Sequence, residues 1–177
     1  MTLGVIVIVA VRIAGSLPVL RWPLAGGLLA ILVDLSDLLL ADLLGLGGVD
    51  YQTLDKWLDQ VYLVTFLIVA LRWSDPARAI AIALYAFRLV GFLAFEVTGE
   101  RTLLLAFPNV FEFWFLLVAA VGDDRVARWR PLPIAALILL LTAAKLAQEW
   151  ALHGARLFDG IGALEAIDLV WRRLTGG

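Results

Sequence analysis

Asp34, Asp37, Asp55 and Asp59 are four carboxylates in a very apolar chain, and they read D-L-S-D and D-K-W-L-D across one junction. A carboxylate near the middle of a bilayer costs roughly 2.5–3.5 kcal/mol on insertion scales. Four of them gathered at one place need a shared compensation. The simplest is a divalent cation, because hard carboxylate oxygens suit Mg2+ or Mn2+. At helical spacing Asp34, Asp37 and Ala41 share one face, and Asp55 and Asp59 stand one turn apart on the next helix. The Gly-rich linker between the two pairs lets them fold back on one another. The competing reading of Asp55 and Asp59 is that of acids favoured by a helix N-terminus, with no metal. Asp34 sits deeper in its apolar span and is harder to explain in that way.

The elements that must hold these residues follow from the composition. The chain has 177 residues, 63% hydrophobic and 17% charged, with a mean hydropathy of +0.96. A water-soluble domain of this size has too much surface for that balance. The fold class expected is all-α: a polytopic six-helix transmembrane bundle over residues 1–154, followed by an amphipathic tail over 155–177. The formal net charge of −2 supplies no basic footprint, so no nucleic-acid partner is expected. There is no cysteine, which excludes disulfides, thiolate metal sites and cysteine nucleophiles. The single His153 excludes a multi-histidine site. Leu3 onward lacks a basic lead-in and a cleavage motif, and reads as a mature span. Arginine outnumbers lysine 12 to 2, which suggests a GC-rich bacterial source. The expected location is integral to a bacterial cytoplasmic membrane.

Apolar runs between charged or Pro/Gly punctuation define the six spans. They run Leu3–Leu20, Leu24–Leu44, Thr53–Trp73, Ser74–Val97, from after Arg101 to Val121, and Ile134–His153. Pro23 suits the first turn of its helix. Pro108 is expected to kink the fifth span or to open its main part. Short loops make consecutive helices antiparallel neighbours. In the tail, Leu157, Phe158, Ile161, Leu164, Ile167 and Val170 recur at helical spacing with charges between them, as an interfacial amphipathic helix would. A seventh packed helix is the other reading. Trp22, Trp73, Trp129, Trp150 and Trp171 fall near span ends, as an interfacial belt would. Arg21, Arg72, Arg78, Arg125, Arg128 and Arg130 follow odd-numbered spans, and their short loops favour an outside N-terminus.

The aspartate quartet also carries a family resemblance. The CDP-alcohol phosphatidyltransferases have six transmembrane helices and the signature D-x2-D-G-x2-A-R-x8-G-x3-D-x3-D. Asp34, Asp37, Ala41, Asp55 and Asp59 fall at those spacings without a gap, over Asp34–Asp59. Arg88 resembles the family's membrane-embedded arginine, and Arg12 a basic residue near the start of its first helix. The resemblance implies a divalent-metal-dependent phosphotransferase acting on a lipid-linked substrate. Asp34, Asp37, Asp55 and Asp59 would then be metal ligands for Mg2+ or Mn2+, with Asp59 also the catalytic base. Lys56 and Arg88 would bind substrate phosphate. It would place the N-terminus in the cytoplasm, against the arginine count. Membrane lipid is the implied partner, and a homo-oligomer is left open. Three signature positions differ: Leu38 and Tyr51 replace glycines, and Asp42 replaces the arginine. Leu38 and Tyr51 would obstruct a nucleotide that the family's small residues admit.

The other intramembrane polar residues are Arg12, Glu96, Glu112, Lys145 and Glu149. Arg88 and Glu96 share the fourth span. Asn109 and Glu112 lie in the fifth, and Lys145, Glu149 and His153 form a stripe on the sixth. Internal ion pairing that orients the helices is one reading, and a hydrated cavity or proton path is the other. The rival to a phosphotransferase is therefore a non-enzymatic membrane protein. It would use its carboxylates for cation or proton passage, or as a structural polar core.

Overall fold

The structure is a computed structural model that describes residues 3–43, 49–100 and 102–149; at 3, 37–43, 49–56, 104 and 149 it describes the backbone alone. Those residues are all-helical. The elements are α1 (Leu3–Ser16), a 3-10 turn (Leu17–Leu20), α2 (Pro23–Leu43), α3 (Val49–Ala70), α4 (Ala77–Thr98), α5 (Thr102–Ala106), α6 (Val110–Val121), α7 (Asp123–Val126) and α8 (Pro131–Glu149). The amphipathic tail expected over 155–177 lies outside the described residues.

The helices fall close to the expected spans, with the main part of the fifth opening after Pro108 as expected and with one added helical turn. Pro108 splits the fifth span into α5 and α6. Proline has no N–H to donate and disfavours helical geometry at Phe107 before it, so α5 stops at Ala106 and α6 starts at Val110. The connection over 122–130 also carries one helical turn, α7. Among the described residues, two helices are long and apolar enough to cross a membrane, α4 over Ala77–Thr98 and α8 over Pro131–Gln148. α1 has 14 residues and α6 has 12, each well short of the ~20 that a hydrocarbon core needs. α1 is prolonged by its 3-10 turn and α6 is preceded by α5.

α6 is the central strut and touches α2, α3, α4 and α8. Its Phe111, Trp114 and Phe115 are fully buried. Phe115 stacks on Phe66 with ring centroids 4.0 Å apart and on Trp73 at 5.3 Å. Trp114 Nε1 donates to the Ala77 carbonyl at 3.2 Å, joining α6 to the start of α4. α1 packs on α2 and α3. Two glycines allow backbones to meet. A Cβ on Gly26 would run into the backbone of Pro18 and Val19, and one on Gly91 would run into the Phe107 side chain.

The polarity of this bundle is inverted. Leu132 is 80% exposed, Leu139 71% and Val97 87%, whereas Arg12 is 3% exposed, Glu112 5% and Lys145 8%. Many large apolar side chains lie on the outside of the bundle, around an aromatic core, while Arg12, Glu112 and Lys145 lie inside it.

Two outcomes follow from the packing. Gly91→Ala should lower the Tm of the detergent-solubilised protein, at a cost of about 1–3 kcal/mol for forcing α4 off the break. An unchanged melt would show that this approach is loose. At one end of the bundle, the Ser74 backbone N–H donates to Asp123 Oδ2 at 2.7 Å, outside the apolar helices. This bond holds the Asp123 carboxyl below its ordinary value of 3.8. A carboxylate lowered in the folded state adds stability above its unfolded pKa and loses it as pH falls through the folded one. Wild type should therefore lose stability faster than Asp123→Asn as pH drops below about 4, measured by Tm against pH. Parallel curves would remove the loop tie from the stability account.

Candidate functional site

The inward stripe of α1 is Ile8, Arg12 and Ser16, spaced four apart, and all three are buried. Ser16 Oγ donates to the Arg12 carbonyl at 2.7 Å. Arg12 is thus carried into the bundle, where its guanidinium meets two helices at once. Nη2 forms an ion pair with Asp34 of α2 and donates to Asp59 Oδ1 of α3 at 2.8 Å. The Asp34 and Asp59 side chains are 25% and 18% exposed. These two acids, distant in sequence, do converge, and a guanidinium joins them.

Asp37 lies on α2 and Asp55 and Lys56 on α3, but their side chains are outside the described residues, as are those of Leu38, Asp42 and Tyr51. Among the described residues no group of three or more acids and histidines is placed to hold a metal. Carboxylate oxygens suit a hard cation in principle. The two described here are already bridged by Arg12, so the described set does not fit an all-oxygen metal cage.

A second polar cluster lies one helical turn along α3. Tyr62 Oη donates to Glu112 Oε2 at 3.2 Å. Asn109 Nδ2 donates to the same oxygen at 3.1 Å and to Tyr62 Oη at 3.3 Å. Lys145 Nζ of α8 stands 3.6 Å from Glu112 Oε2, donates to Gln148 Oε1 at 3.0 Å, and lies 5.2 Å from the centre of the Phe113 ring. Glu112 therefore gathers α3, α6 and α8 as Arg12 gathers α1, α2 and α3. Asp59 and Tyr62 stand three residues apart on α3, so that helix links the two clusters. Tyr62 and Gln148 were not singled out from the sequence. The signal for Tyr62 was its position three residues after Asp59, on the same face.

The remaining expected residues are distributed between the helices. Arg88, 9% exposed on α4, donates from Nη1 to the Phe107 carbonyl at 2.9 Å. It thereby satisfies a backbone oxygen that the break in the fifth span releases. Glu96 is exposed and accepts from Trp57 Nε1 at 3.3 Å, tying α4 to α3. The Glu149 side chain and His153 lie outside the described residues, so of that stripe the structure places the Lys145 side chain.

The central ion pair has a testable consequence. Arg12→Leu strands two carboxylates. Breaking a fully buried pair costs roughly 3–5 kcal/mol, and the part exposure of Asp34 and Asp59 should reduce that. Arg12→Lys should recover part of the loss, because a point charge cannot span both acids as a planar fork does. Adding Asp34→Asn and Asp59→Asn to Arg12→Leu should restore stability relative to Arg12→Leu alone. Thermal melts of the four proteins check this, and a triple variant no better than the single one would rule out stranded charge as the cause.

No family model matches this chain, and neither a curated protein nor a solved structure is significantly similar to it.

Proposed function

We propose that this chain is a polytopic integral membrane protein of a non-enzymatic kind, whose intramembrane carboxylates form a structural polar core neutralised by the chain's own basic groups. One observation carries the reading: a single buried guanidinium, Arg12, is shared by Asp34 and Asp59 from two other helices. The Glu112–Lys145 pair repeats the arrangement between α6 and α8. Both pairs lie inside a bundle with an apolar exterior, where burying a charge without a partner is costly. The inverted polarity and the two helices of membrane-crossing length support the membrane assignment. In this reading the ion pairs set which faces of the helices meet. A carboxylate tied to a fixed cation on another helix is poorly placed to pass a mobile one.

The second reading is the metal-dependent phosphotransferase on a lipid-linked substrate. The observation in its favour is that Asp34 and Asp59, at the signature spacing, share one partner across α2 and α3. Binding of Mg2+ or Mn2+ there would require Arg12 to give up both acids.

Metal titration separates the two. A ligand that binds the folded state alone raises stability by mass action. The polar-core reading expects the same Tm with and without millimolar Mg2+ or Mn2+, and no binding of CDP-diacylglycerol. A metal-dependent rise in Tm that disappears in Asp34→Asn with Asp55→Asn would overturn it in favour of the phosphotransferase.

A further inference from the structure

One end of the bundle concentrates positive charge in an unpaired form. The Ser74–Asp123 bond joins the α3–α4 loop to the start of α7, and Trp73 and Trp129 of the same loops pack on the core. Six arginines sit at this end, in the loops, in α7, in the first turn of α4 and in the turn before α2, against the three acids Asp75, Asp123 and Asp124. The acids are already engaged: Asp75 pairs with Arg78 at 2.6 Å, and Asp123 and Asp124 accept from Ser74. Arg21, Arg72, Arg128 and Arg130 are exposed and have no carboxylate partner among the described residues. At the opposite end of α4 the described charges are acidic, Glu96 and Glu100. Among the described side chains, the excess of arginine therefore lies at the end that carries Ser74 and Asp123.

At the arginine-rich end a cleft of about 350 Å³ is lined by Trp129, Arg130, Pro133 and Leu137. Its components are graded along α8. A guanidinium and an indole stand at the loop, and apolar side chains follow into the helix. Leu140, one turn beyond Leu137, is 64% exposed and continues the apolar surface. A phosphate diester with acyl chains matches that order. Arginine complements phosphate, tryptophan sits at headgroup depth, and a leucine surface takes hydrocarbon. A zwitterionic headgroup would leave the excess positive charge uncompensated.

We propose that the Trp129–Arg130–Pro133–Leu137 cleft binds an anionic glycerophospholipid and that this end of the protein faces the anionic leaflet. Charge complementarity selects the lipid, and the arginine bias of the short loops places this end on the cytoplasmic side. The proposal rests on the membrane reading above and is independent of whether the aspartates hold metal.

The experiment uses the full chain in phosphatidylcholine nanodiscs and follows tryptophan fluorescence. Brominated phosphatidylglycerol is introduced in one series and brominated phosphatidylcholine in the other. The expected result is stronger quenching by the anionic lipid at equal mole fraction, with the excess lost in Trp129→Phe. Arg130→Gln should weaken the apparent affinity for phosphatidylglycerol roughly fivefold, the effect of one arginine near a charged surface. Equal quenching by the two lipids in wild type would overturn the proposal while leaving the protein a membrane protein. An excess that survives in Trp129→Phe would overturn the cleft as its location. Absence of quenching by either lipid would overturn the membrane reading together with it. The comparison of lipids in wild type needs no variant, so it stands even if a substitution fails to fold.

Discussion

The guanidinium of Arg12 is the constraint around which the described half of the acidic junction is arranged. Its cost and its benefit have the same origin. In a bundle whose outside is apolar, an isolated Arg12, Asp34 or Asp59 would each be strongly unfavourable. Brought together they neutralise one another, provided that α1, α2 and α3 present the correct faces. A hydrophobic contact tolerates rotation of a helix by tens of degrees, whereas a charge shared by two carboxylates at hydrogen-bonding distance does not. The pair is therefore weak evidence of net stability and stronger evidence of a specified helix arrangement.

The break between α5 and α6 raises the same problem for the backbone. Pro108 interrupts the helical bonding of the fifth span, and Arg88 covers the carbonyl of Phe107. Gly91 brings α4 close enough for this to happen. Asn109 begins α6 with its amide turned towards Glu112 and Tyr62, not onto the helix as a cap. Broken apolar helices place polar groups at depth, and here the polar groups are taken up by α3 and α8. α6 thus joins the aromatic core at Phe115 and Trp114 to the polar core at Glu112 within four residues.

These two arrangements change what the aspartate pattern means. Spacing of the D-x2-D and D-x3-D kind states that acids share helix faces. It says nothing about which positive charge answers them. A metal ion and an arginine distant along the chain are equivalent from that viewpoint. The described contacts favour the arginine, while Asp37 and Asp55 contribute only their positions on α2 and α3.

What the sequence determined by itself was whatever depends on local chemistry: an all-helical chain, apolar enough for lipid, with breaks at Pro23, Pro76 and Pro108 and with Asp34 and Asp59 on helix faces that could meet. Helix periodicity and proline stereochemistry act over a few residues, so they are readable one window at a time. Arg12 as the partner of Asp34 and Asp59, Tyr62 and Lys145 as partners of Glu112, and Arg88 as the cover for a broken helix were decided by tertiary structure. Each is a contact between residues on different helices, and its existence depends on crossing angle and rotation, which no single window contains. The low permittivity of the bundle interior then makes those choices matter, because a charge there must find its opposite within a few ångströms or not be buried at all.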